Sequence, residues 1–97
     1  MELTIKEVVD VLQGVEHPAI RLSLIDLGIL TDIELIHQDV VAVFAFPFPN
    51  IPIADQLIQS VNQAVQSLGL SLKYDIRTMT QDERERFLTL EAGAWKG

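Results

Sequence analysis

The chain of 97 residues contains no cysteine. That excludes disulfides, thiolate nucleophiles and cysteine-ligated metals, and it gives no sign of an oxidising compartment. Bases are also scarce. Seven Lys and Arg stand against 14 Asp and Glu, a formal charge of −7, which opposes binding to nucleic acid and to anionic lipid. No apolar run approaches the ~18 residues needed to cross a bilayer. Glu2, Lys6, Glu7 and Asp10 interrupt the start of the chain, so no apolar signal core can be drawn there. A cytoplasmic location is the expectation, with neither membrane nor nucleic acid as partner. The two histidines, His17 and His37, lie far apart with no ligand-like spacing, and no Ser-His-Asp or paired-carboxylate arrangement can be argued from spacing. The expectation is therefore a non-enzymatic protein with no metal and no cofactor.

What is present is apolar: 48% of the residues are hydrophobic, which argues against disorder. A chain of this length is expected to form a single domain over 1–97, burying up to roughly 10,000 Å² on folding.

Periodicity divides the chain into six elements. Thr4 to Gln13 reads as a helix with Ile5, Val8, Val9 and Leu12 on one face; Thr4 and Glu7 stand at capping-box spacing, and Gly14 is a stop. "VEHPAIRLSLIDLG" reads as an ordered connector with a helical turn around Ala19 to Leu22. Ile29 to Ile36 alternates as a strand with Thr31, Ile33 and Leu35 on one face. After the polar break "HQD", Val40 to Phe46 is a second strand, apolar on both faces and hence central or covered on both sides. The short break makes these two strands an antiparallel hairpin. Pro52 to Leu68 reads as the longest helix, with Asn50 as N-cap and Gly69 as stop. Leu70 to Arg77 is a third strand with Leu72, Tyr74 and Ile76 facing in. Thr80 and Glu83 open a short charged helix ending near Glu91.

The order α-β-β-α-β-α predicts a two-layer α/β (α+β) domain. Its sheet is three-stranded and mixed, because the helix between the second and third strands returns the chain and makes those strands parallel. The helices are expected mainly on one face.

Two stretches carry a resemblance. "HPAIRLSLIDLGIL" resembles the D-P-E-(I/L)-x-x-S-(I/V)-V-D-L-G-(L/I)-V signature of the MIP18 family, also called DUF59. These are small iron–sulfur assembly domains that include SUF-associated and PaaD-like members. Pro18, Ser23, Asp26, Leu27 and Gly28 match, whereas His17 stands at an acid and Ala19 at a glutamate. "FPFPNIP" lies where the family has T-x-P-G-C-P before its long helix. Registered on Pro52, the pattern puts Ile51 at the cysteine, Asn50 at the glycine and Pro47 at the threonine. Isoleucine has no proton to lose and no lone pair to donate, so thiol-dependent cluster contact is excluded at this site. The resemblance implies an adaptor in iron–sulfur cluster assembly whose partners are assembly factors or client apoproteins. The alternative is a cysteine-less interaction or dimerisation module in an unrelated pathway. Residues 80–97 look like an extension of the family core.

The candidate residues each have a plain reading. Asp26 can accept backbone amides in its turn, or it can face the 46–52 junction as a pocket acid. Ser23 shares that motif. Gly28 is a position of positive φ or close approach. Asn50 is a cap or a contact for an anion. Phe48, with Ile51 and Ile53, makes an apolar docking patch if exposed. Gln56, Gln59 and Gln63 form an uncharged helix face, either solvated or a partner surface. Val41 and Val43, with Ala45, point to the far side of the sheet and invite a homodimer or a partner protein.

Overall fold

Seven of the eight residues from Asp39 to Phe46 are apolar, and a strand that is apolar on both faces needs neighbours on both sides. The computed structural model, which describes residues 3–18, 20–49 and 51–94, places it so. The elements are α1 (Ile5–Leu12), β1 (Leu30–Ile36), β2 (Asp39–Phe46), α2 (Ala54–Ser67), β3 (Ser71–Thr78) and α3 (Gln81–Ala94). The sheet order is β1-β2-β3, antiparallel between β1 and β2 and parallel between β2 and β3. This is the α+β architecture and mixed sheet expected from the periodicity.

The core lies between one sheet face and two helices. Val40, Ala42, Phe44 and Phe46 of β2 are buried with Val8 and Leu12 of α1 and Leu57, Val61 and Val65 of α2. Thr4 caps α1 by accepting the Glu7 amide at 3.2 Å. Thr80 and Glu83 form the full reciprocal box at α3: Glu83 N–H donates to Thr80 Oγ1 at 3.3 Å and Thr80 N–H to Glu83 Oε1 at 2.8 Å.

The structure departs from the sequence expectations in five places. The connector makes a small antiparallel bridge between Glu16 and Ser23 rather than a helical turn, closed by His17 N–H to the Leu22 carbonyl at 3.1 Å. Ala19 lies outside the described residues. β1 carries a bulge: the register jumps between Thr31 and Glu34, with Asp32 at φ 52°. The extra residue flips the pleat. Leu30 therefore faces the core with Ile33 and Leu35, and Thr31 turns to the far face beside Val43. Aspartate tolerates that left-handed backbone better than a β-branched residue does. On β3, Tyr74 and Ile76 do share the core side, but they are 44% and 56% exposed, because β3 is an edge strand with a neighbour on one side only. On the far face, Val41 and Val43 are half-buried and Ala45 is fully buried. Finally, α3 runs three residues past Glu91, to Ala94.

Candidate functional site

The site is built where β2 hands the chain to α2. Pro47 is buried, Phe48 and Pro49 are exposed, and α2 does not begin until Ala54. The N-cap position is Ile53, which offers no side-chain oxygen to the first turn. Asn50, the expected cap, lies outside the described residues, three positions upstream of that cap. Pro47, Phe48, Ile51, Pro52 and Ile53 thus make an apolar ledge over the end of the sheet.

The C-terminal helix roofs this ledge. Arg84 Nε donates to the Pro47 carbonyl at 2.7 Å, and its guanidinium carbon lies 5.4 Å from the centroid of the Phe48 ring, within cation–π range. Phe87 is buried. The helix is tied at both ends: Met79 N–H donates to the Phe46 carbonyl at 2.7 Å, and Arg21 N–H to the Ala94 carbonyl at 2.8 Å. Arg77 clasps Glu83 through two bonds of 2.7 and 2.9 Å. The paired guanidinium, helped by the Thr80 amide, holds the Glu83 carboxyl down at about 2, and the same pairing raises Arg77.

Between roof and ledge lies a groove of about 370 Å³ lined by His17, Pro47, Phe48, Ile51, Pro52, Ile53, Phe87 and Glu91. Its walls are chiefly hydrocarbon, with His17 and Glu91 as the titratable members. Such a concave apolar surface with few polar groups suits a contact with a hydrophobic side chain. A larger cavity of about 820 Å³ lies at the other end of the sheet, between the 37–38 turn and residues 68–70. It is lined by Leu3, Leu35, Leu68, Gly69 and Leu70 together with the polar residues His37, Gln38 and Asp39 around the β1–β2 turn.

The structure brings together part of the predicted set. Pro47, Phe48, Ile51, Pro52 and Ile53 meet in the groove, and Phe48 is 47% exposed. Ser23 and Asp26 do not line it. Buried Ser23 accepts the Asp26 amide at 3.0 Å and donates to Gln13 Oε1 at 3.1 Å, tying the connector to the end of α1. The Asp26 carboxylate is exposed and accepts no backbone amide among the described residues; Ser23 accepts the amide of the turn instead. Gly28 has φ 79°, as its motif position required. Gln56, Gln59 and Gln63 are exposed on α2, away from the groove lining. No group of three or more His, Asp or Glu side chains converges as a metal site among the described residues, and no helix among them is long and apolar enough to cross a membrane.

Arg84, Phe87 and Glu91 were missed in the sequence, where "QDERER" reads as a solvated helix start. The available signal was their spacing of three and four residues, which puts them on one helix face.

No family profile matches the sequence, and no curated protein matches it. Among solved structures, the chain is similar to the crystal structure of Domain of Unknown Function DUF59 from Bacillus anthracis, with a TM-score of 0.63. The match covers 89% of this chain and 90% of that one. The chain shares its fold with that DUF59 domain. At 14% identity the likeness concerns the course of the backbone. Within that shared fold the groove belongs to the β2–α2 junction, roofed by α3.

Proposed function

We propose that this protein is a non-enzymatic adaptor of the MIP18 type. It acts in the cytoplasm, in iron–sulfur cluster assembly or protein maturation, by docking other proteins rather than by holding a cluster. The observation that carries the reading is the groove lined by Pro47, Phe48, Ile51, Pro52 and Ile53. The position aligned with the family cysteine is Ile51, and it sits in a concave wall of hydrocarbon beside half-exposed Phe48. A thiolate there would be stabilised by a helix N-terminus. Isoleucine offers only apolar surface, so what remains available at the junction is contact. Arg84 supports that use by holding Phe48 in place, which lowers the ordering cost of a bound state.

The test is anaerobic affinity purification from the native cells, with iron quantified and Phe48→Asp run in parallel. The expected result is recovery of cluster-assembly proteins or cluster-binding apoproteins, lost with Phe48→Asp, and no stoichiometric iron on the chain alone. Stoichiometric iron held by the chain's own side chains would overturn the reading. Recovery of partners unrelated to clusters would favour the interaction-module alternative.

A further inference from the structure

We propose that the free edge of β3 is a self-association edge, at which two copies of this chain pair antiparallel about a two-fold axis through Tyr74. The argument begins with the backbone. Ser71 N–H donates to the Gln38 carbonyl at 3.0 Å and Met79 N–H to the Phe46 carbonyl at 2.7 Å, so the odd-numbered residues of β3 turn their backbone groups toward β2. The period of two then turns those of Leu72, Tyr74, Ile76 and Thr78 to the open edge. No other segment bonds to that edge among the described residues.

The two edges of the sheet are not alike. β1 is blunted by its bulge at Asp32, a common protection against strand addition. β3 has neither bulge nor proline, and its ladder with β2 is unbroken from Ser71 to Thr78. It also carries two of the exposed large apolar side chains, Tyr74 and Ile76. Lys73, which would otherwise guard the edge, is engaged by Asp39 at 3.1 Å, with 68% of its side chain still exposed.

Charge selects the register and the occupant. Only pairings of even with even residues satisfy the outward groups. Pairing Tyr74 with itself and Leu72 with Ile76 sets Lys73 opposite Asp75 twice, in the closer, non-hydrogen-bonded pairs. Asp75 makes no ion pair of its own among the described residues. One slip, pairing Tyr74 with Ile76, sets Asp75 against itself and Lys73 against Arg77. A further slip, pairing Ile76 with itself, would set Asp75 opposite Arg77. Arg77, however, is held by Glu83 through two bonds, and its Nη1 lies 3.5 Å from the Thr78 carbonyl that this register needs. Lys73, by contrast, has one contact with Asp39 and a largely exposed side chain that can turn to the new strand. The strand is therefore complementary to its own copy in one register, with about six new backbone bonds.

Sedimentation of the full chain at physiological ionic strength, where screening limits repulsion between two −7 chains, tests this. A reversible dimer is expected. Lys73→Asp and Asp75→Lys should each weaken it roughly tenfold or more, and mixing the two variants should restore it, because both cross-strand pairs become opposite in charge again. The cysteine-free background allows a second test that does not depend on those variants. Tyr74→Cys should oxidise to a disulfide-linked dimer, because residues on the axis lie about 5.5 Å apart at Cα, whereas Ile76→Cys should not. A wild-type chain that stays monomeric to about 1 mM, leaving the edge to a strand of some other protein, overturns the proposal. So does failure of the mixture to restore association, or equal cross-linking at both positions.

Discussion

Replacing Arg84 by methionine removes a charged head group while keeping an apolar stem of similar length against the ledge. Two contacts are lost. The first is the 2.7 Å bond from Nε to the Pro47 carbonyl. Hydrogen bonds from charged donors contribute about 1.5–3 kcal/mol, and the low end applies because Arg84 is only partly buried. The second is the cation–π contact with Phe48 at 5.4 Å, worth about 0.5 kcal/mol at so open a site. The expected loss is about 2 kcal/mol. For a domain of this size that lowers the urea midpoint by roughly 1–2 M at unchanged slope. A double-mutant cycle with Phe48→Leu should return a coupling of about 0.5 kcal/mol for the ring contact alone, while Arg84→Lys should restore charge without restoring the Nε bond. A midpoint within about 0.3 M of wild type for Arg84→Met would refute the claim that this arginine fastens α3 to the junction.

The other predictions concern the same end of the molecule. Phe87→Ala should cost about 3–5 kcal/mol in the same urea experiment, since the ring is 4% exposed and its loss leaves a cavity; a cost below about 1 kcal/mol would mean that α3 is an appendage. Glu83 supplies a pH dependence. Its folded value, about 2, lies below the ordinary 4.5, so its contribution is fully present above pH ~4.5 and is lost as pH falls toward 2. Taken whole, the shift corresponds to about 3 kcal/mol, but both side chains of the pair are 38% exposed, and screening leaves about 1 kcal/mol. Glu83→Gln should therefore flatten the stability profile between pH 5 and pH 2 by about that amount. Ile51→Cys should fold normally, with a loss near 1 kcal/mol, because a partly buried apolar residue is exchanged for a smaller one suited to burial; a far larger loss in thermal unfolding would contradict the view of Ile51 as groove wall.

The order of elements was legible because each rests on local information: period 3.6 in α1 and α2, the two-sided apolar run of β2, and two capping boxes. What failed depended on partners distant in the chain. The flip of Thr31 comes from the extra residue at Asp32, visible only once β1 is laid against β2. The 16–23 bridge pairs two segments that flank Pro18, and neither alternates enough to read as a strand. The groove was half legible. Pro47, Phe48, Ile51 and Ile53 announce an apolar junction by composition, but Arg84 reaches Pro47 across 37 positions, and its own neighbours are charged. Asp26 and Ser23 show the converse. Their motif is conspicuous in the sequence, yet the structure uses the serine to close a turn and leaves the carboxylate in water.

The groove and the β3 edge draw on different parts of the same fold, and that separation has a functional consequence. The groove is made from Pro47, Phe48, Ile51, Pro52 and Ile53 with His17, Phe87 and Glu91, none of which lies on β3. Pairing through Tyr74 would leave every groove residue unused and give the assembly two of them. A single apolar groove of this size would hold a docked side chain weakly, because orientation and side-chain ordering offset much of the contact energy. In the proposed dimer, two grooves on one six-stranded sheet would raise the effective concentration of the second contact toward a two-fold partner without any new interaction. The two proposals are thereby separable. Lys73→Asp should reduce capture of a dimeric client more than that of a monomeric one, whereas Phe48→Asp should abolish both.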